Sequence, residues 1–213
     1  LRGSTNVQEL REKKVHIWDG NSNDRDYDAG PVYGFQWRHF GAEYTDCHAD
    51  YTGQGVDQVT HIIRLINTNP TSRRMVLSAW CPSQQEQMCL PPCHVMYQFY
   101  VEDDGRLSCM MTQRSADVFL GLPFNIASTA LLTSLLAHQT GRTPGHLWIN
   151  IGDAHIYQEH VAACQQQLAR DAFPLSTISI QRPTDDNLWS FDVNDVVLMN
   201  YESQRSIKAP MKA

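Results

Sequence analysis

The chain has 213 residues, 42% of them apolar and 19% charged, the proportions of one globular domain able to bury a substantial core. Its net charge of -6 spreads no positive field over a face, which argues against general nucleic-acid or membrane-surface binding; an anionic ligand would need a local arginine cluster. No apolar run reaches the ~18 residues of a membrane span and no signal peptide is visible, so a soluble, cytoplasmic protein is expected.

The six cysteines (Cys47, Cys81, Cys89, Cys93, Cys109, Cys164) have neither zinc-ligand spacing nor the density of a disulfide scaffold, so reduced thiols and no metal site are expected. The opening Leu1-Arg-Gly-Ser-Thr-Asn6 reads as the end of a helix already under way, then a stop and a cap for a helix through Val7–Arg11, so a preceding segment is expected. The polar stretch from Asp19 to Gly30 reads as a loop. Asp57 to Asn67 places Val59, Ile62, Ile63 and Ile66 at helical spacing, closed by Asn69-Pro70. Arg74 to Trp80 and Val95 to Val101 read as strands. Leu107 to Thr112 follows an Asp-Asp-Gly turn and is expected to form a hairpin with Val95–Val101. Phe124 to Gln139 is the most hydrophobic stretch and reads as a buried helix. Leu147 to Ile151 follows as a strand, His155 to Arg170 as an amphipathic helix, and the tail from Ser176 as two or three short strands. The expected fold is α+β: a mixed or antiparallel sheet packed against a long buried helix, in a single domain over 1–213.

Four segments hold residues that a packed core would not ask for. In Leu90-Pro-Pro-Cys93-His94 two prolines fix the backbone and aim a thiol, although a lone cysteine is more often a small buried hydrophobe. In Gln113-Arg114-Ser115-Ala-Asp117 the arginine, if beside Cys93, would favour the thiolate or hold a phosphate; alone it is better read as a surface cap. Arg73-Arg74 suits bidentate phosphate binding, or forms a solvated turn. In Gly152-Asp-Ala-His155-Ile-Tyr157, at a strand exit, the two polar tips suit a sugar hydroxyl, or simply satisfy buried backbone. Asn125 can donate to and accept from one edge of a base, or cap a helix.

Gly30-Pro-Val-Tyr-Gly-Phe-Gln-Trp-Arg-His-Phe-Gly41, Arg73-Arg74, Pro91-Pro-Cys93-His94, Gln113-Arg114-Ser115-x-Asp117, Gly121-Leu-Pro-Phe-Asn125-Ile-Ala and Gly152-Asp-Ala-His-Ile-Tyr157 stand in the order of the thymidylate synthase family, which the chain resembles from Gly3 to Ala213. The resemblance implies a methyltransferase of nucleotide (dTMP) biosynthesis, with dUMP and 5,10-methylenetetrahydrofolate as substrates, and a homodimer. Cys93 would be the nucleophile at uracil carbon 6, and Arg114 would bind the phosphate and activate the thiol. Arg73 and Arg74 would reach that phosphate across the subunit interface. Asn125 would read the uracil edge, with Ser115 and the Asp117 backbone placing the nucleotide. His155, Tyr157 and Tyr201 would hold the deoxyribose, Tyr33 would relay the proton at carbon 5, and His94 and Gln113 would support them. Ile17, Trp18, Asn21, Asp117, Gly121 and Phe124 would line the folate pocket, and the tail Ile207–Ala213 would close over it.

Departures from the family pattern accompany these matches. The family's water-ordering glutamate and an arginine loop would precede Leu1, so the chain as written is expected to be inactive or nearly so. Cys81 replaces a common asparagine, Gln204 a usual histidine, Ala213 is small for a terminal residue, and the loop Asn23 to Ala29 is short. Two further readings are a dUMP hydroxymethylase and a truncated, non-catalytic homologue. Asn125, where a cytosine enzyme would carry an acid, and Trp18 with the tail favour methylation of uracil.

Overall fold

The computed structural model describes residues 1–182 and 187–211. Two short helices open the chain, Gln8–Glu12 (α1) and Asp19–Ser22 (α2), the second running into a 3-10 turn at Asn23–Arg25. Val7 thus precedes α1 rather than starting it, and Asn6 Oδ1 accepts the Gln8 N–H at 2.9 Å. The stretch expected to be a loop contains α2 because its polar side chains serve nearby backbone. Ser22 Oγ donates to the Trp18 carbonyl at 2.9 Å, and Asp19 in the first turn suits the helix dipole.

Tyr33–His39 forms α3, directly after Gly30-Pro31. Gly30 has φ +74° and lies against the Gln87 carbonyl, where a Cβ has no room. Gln58–Thr68 forms α4, close to the expected span, with the Asp57 carboxylate accepting the Thr60 N–H at 3.0 Å as an N-cap. Its Val59, Ile62 and Ile66 are buried.

Four strands follow in a mixed sheet ordered β1-β2-β3-β4: Val76–Ser78, His94–Val101, Leu107–Asp117 and Pro144–His155. β1, β2 and β3 pair antiparallel, and β4 runs parallel to β3. The expected hairpin is β2–β3. β1 is shorter than Arg74–Trp80, while β4 is much longer than Leu147–Ile151. It follows β3 to the end, where Asp117 pairs with His155 and the Val118 N–H donates to the His155 carbonyl at 2.9 Å. That pairing holds His155 extended, which corrects the expected helix His155–Arg170. The chain instead makes a 3-10 turn at Gln158–His160 before α6, Val161–Leu168.

The long helix is present as α5, Gly121–Gln139, but it is not buried along its length. Leu132, Leu135, Leu136 and Ala137 are buried, while Phe124 is 70% and Ile126 45% exposed. Its sequence is apolar all round, and one chain covers only the second half. That half packs into the main core with Ile62, Met75, Leu77, Phe99, Leu107 and Met111. A smaller cluster of Val7, Ala29, Val32, Cys81 and Met88 packs apart from it. The tail gives two strands, β5 (Thr177–Ile180) and β6 (Val196–Met199), paired antiparallel. Among the described residues no helix is long and apolar enough to cross a membrane.

Candidate active site

The end of the Pro91-Pro92 segment meets the first residue of β2. Cys93, half-buried with a free thiol, has its peptide held on both sides. Its N–H donates to Tyr33 Oη at 2.8 Å, and its carbonyl accepts the Arg114 N–H at 2.9 Å. The Arg114 side chain folds back along the same segment: Nε donates to the Pro92 carbonyl and Nη2 to the Pro91 carbonyl, each at 3.0 Å. Its guanidinium lies 5.6 Å from the Trp80 ring centre. The prolines supply two carbonyls without N–H groups of their own, so they bind the arginine and ask for no partner in return. Among the described residues the remaining guanidinium N–H groups have no hydrogen-bond partner and can take an anion.

Behind Cys93 a buried polar set connects three elements. His94 of β2 pairs in register with Gln113 of β3. Gln113 Nε2 donates to the Ser115 carbonyl at 2.9 Å and to Asn125 Oδ1 at 2.8 Å. Because the Ser115 carbonyl fixes which end of Gln113 is the donor, Asn125 is oriented too. Its NH₂ and the second Oδ1 lone pair remain for a ligand edge. Asn125 lies in the second turn of α5, not at its cap, so the capping alternative is excluded. Gly121 lies beside Asp117 and Asn125 in this turn, with room for a side-chain carbon at ordinary contact distance. Gln113 Oε1 is buried without a hydrogen-bond partner among the described residues, an arrangement that costs about 1–3 kcal/mol unless something polar meets it.

The electrostatics keep two of these groups neutral near pH 7. Burial, then the nearby Cys93, push the Tyr33 hydroxyl up to about 12. Burial pulls the His94 imidazole down to about 4, against the opposing pull of the Asn125 amide. His94 Nδ1 and Tyr97 Oη share a hydrogen bond at 2.6 Å. A neutral phenol and a neutral imidazole beside a thiol can pass or hold protons without adding charge.

The other expected residues differ in what they meet. Trp18 joins the site through an edge contact with Tyr33, ring centres 6.4 Å apart, whereas Ile17 is 55% exposed and Asn21 half-buried. His155 and Tyr157 meet edge-on at 5.1 Å, at the end of β4 and about 10 Å along the strand from the Arg114 level. Tyr201 is 62% exposed and lines a cavity of about 520 Å³ with Phe119, Phe173 and Gln204; among the described residues no hydrogen bond joins it to His155 or Tyr157. The Asp117 carboxylate points into the chain, accepting the Phe119 N–H at 3.0 Å and the Leu120 N–H at 3.3 Å. Arg73 and Arg74 are exposed between α4 and β1, with no carboxylate partner among the described residues. Gln204 Nε2 donates to the Asp171 carbonyl at 2.9 Å, and Ala213 lies outside the described residues.

Sequence reasoning missed Trp37, Trp80 and Tyr97. Trp37 bridges the Tyr33 and Tyr97 rings at 6.4 and 5.6 Å, and its place four residues after Tyr33 on one helix was the available signal. Nothing local marked Trp80, which arrives from the end of another strand.

With this geometry in place, comparison with known proteins gives one consistent result. The family model for thymidylate synthase matches residues 1–213. The thymidylate synthase of Herpesvirus ateles is 50% identical over 99% of this chain and 76% of its own length, and that of Agaricus bisporus 48% identical over 98% and 76%. The bifunctional dihydrofolate reductase-thymidylate synthase of Zea mays is 48% identical over 99% of this chain, which spans 42% of that protein's length.

Proposed function

The chain belongs to the thymidylate synthase family, and from that premise we propose that it methylates dUMP reductively to dTMP, taking both carbon and hydride from 5,10-methylenetetrahydrofolate and releasing dihydrofolate. The Cys93 thiolate adds to carbon 6 of the uracil ring. Carbon 5 then attacks the folate methylene and loses its proton, the bond from the methylene to the folate nitrogen breaks, and hydride from the folate completes the methyl group as the Cys93 sulfur leaves carbon 6. Arg114 holds the phosphate with the N–H groups that Pro91 and Pro92 leave free, joined by Ser115. Asn125 reads the uracil edge with its spare amide atoms, supported by His94 and Gln113. Tyr33, a neutral phenol bonded to the Cys93 peptide, relays the proton at carbon 5. His155, Tyr157 and Tyr201 hold the sugar. Trp18, Ile17, Asn21, Gly121, Phe124 and Asp117 take the folate, and the tail through Ala213 closes over it.

The functional unit is a homodimer in which Arg73 and Arg74 reach the phosphate of the partner subunit's site. The outer face of the sheet supports this. Gln98, Met110 and Trp148 stand in one row across β2, β3 and β4, facing away from the core, with Trp148 52% and Tyr100 48% exposed. The six free cysteines suit a reducing compartment such as the cytoplasm.

The observation that carries the reading is the pair of bonds fixing the Cys93 peptide between Tyr33 and Arg114, with the Asn125 amide edge alongside. The test uses the full-length protein with 5-fluoro-dUMP and methylenetetrahydrofolate. A covalent adduct at Cys93, together with dTMP and dihydrofolate formed from dUMP in equal amounts, is the expected result. Hydroxymethyl-dUMP without dihydrofolate, or no adduct, would overturn it.

A further inference from the structure

His160 lies outside every motif considered above, in the turn before α6, and is fully buried. Its Nε2 donates to the carbonyl of Pro210 in the tail at 2.8 Å. Its Nδ1 stands 3.6 Å from Asp117 Oδ1, and the rings of Phe119 and Tyr157 pack against it at 5.5 Å each. Asp117 in turn accepts the N–H groups of Phe119 and Leu120, the turn that launches α5. A wholly buried imidazole carries a desolvation cost that an apolar side chain would avoid, so the bond to the tail is what the position gains from histidine. The tail segment 201–207 and residues 118–120 with Pro123 both line the 520 Å³ cavity. His160 therefore meets the tail just beyond that lining, at Pro210, and the turn within it, at Phe119.

We propose that His160 is a positioning residue that latches the C-terminal tail, through the Pro210 carbonyl, to the Asp117–Leu120 turn, and so sets the tail's closed position over the folate. The consequence for folate rests on the thymidylate synthase reading; the latch itself does not. The test compares His160→Leu, which has no donor, with His160→Gln, whose amide N–H can reach a carbonyl, in the full-length protein. Tryptic cleavage after Lys208 is followed without ligands; the KM for methylenetetrahydrofolate, kcat and dUMP affinity are measured separately. The leucine variant is expected to be cut faster and to show a raised folate KM, each by roughly three- to tenfold as one lost neutral hydrogen bond allows, with dUMP affinity kept within about twofold. Glutamine should recover most of both losses. Should the leucine variant not fold, His160→Asn, whose shorter amide stops short of Pro210, takes its place. Unchanged cleavage and KM would overturn the latch. So would equal losses of folate KM, dUMP affinity and melting temperature in both variants, the mark of plain core packing. An unsubstituted protein that makes no dTMP would sink the functional reading, while the cleavage comparison would still decide the latch.

Discussion

Hydrogen bonds at both ends of the Cys93 peptide leave its thiol as the part of the residue free to react. The neighbouring His94 shows what that rigidity requires of the protein. Its buried ring is held down to about 4 from an ordinary 6.5, so as pH falls the unfolded chain takes up this proton first. The stability the neutral ring contributes is complete above pH 6.5, drains away between 6.5 and 4, and is gone below, amounting to about 3 kcal/mol. The unfolding free energy measured in urea should therefore rise with pH across that window, by up to about 1.4 kcal/mol per unit more than in His94→Asn. Parallel slopes in the two proteins would mean that His94 is not held neutral. The Cys93–His94–Asn125 assembly was legible in the sequence only as types in an order. Alone, a cysteine, an arginine and an amide each have a duller explanation, and only their joint order carried the reading. Asp117 shows the limit: its Oδ1 also accepts two backbone N–H groups, and no pattern of residue types reveals such a second duty.

At the scale of elements, what the sequence made legible followed period and punctuation. α4 carries its apolar residues at helical spacing behind an aspartate cap, and the β2–β3 hairpin follows an Asp-Asp-Gly turn; both were readable for those reasons. β4 was underestimated because its length is set by β3 beside it rather than by its own hydrophobicity. That parallel pairing also explains Gly152. A Cβ built there would lie 3.0 Å from the Arg114 carbonyl oxygen, so one of the two backbones must give way. Gly152→Ala is expected to part β3 from β4 at the level of Arg114 and lower stability by about 1–3 kcal/mol, as overpacking in a fixed sheet does. Phosphate-dependent binding of dUMP should weaken with it. A melting temperature and dUMP affinity equal to those of the unsubstituted protein would show that the two strands have slack.

For the whole molecule, the lone chain leaves two kinds of surface unexplained by its own packing. One is apolar: Trp148 and Tyr100 on the outer sheet face, exposed rings of the kind that mark an interface. The other is cationic: Arg73 and Arg74, exposed on the turn before β1. The proposed two-fold dimer would join them, because one surface of each subunit then meets its own copy, and a residue at the far end of the sheet from its own Cys93 is free to serve the other. The arrangement makes a numerical forecast. Arg73→Ala/Arg74→Ala and Cys93→Ser each remove one part of every site in their own homodimers, so each preparation should be nearly inactive. Unfolded, mixed in equal amounts and refolded, half the dimers are hybrids. Each hybrid holds one site with both its cysteine and the arginines that serve it, so activity should return to about a quarter of the unsubstituted level. If the arginines instead serve the subunit that carries them, the Cys93→Ser subunit supplies nothing to its partner, and the mixture stays as inactive as its components.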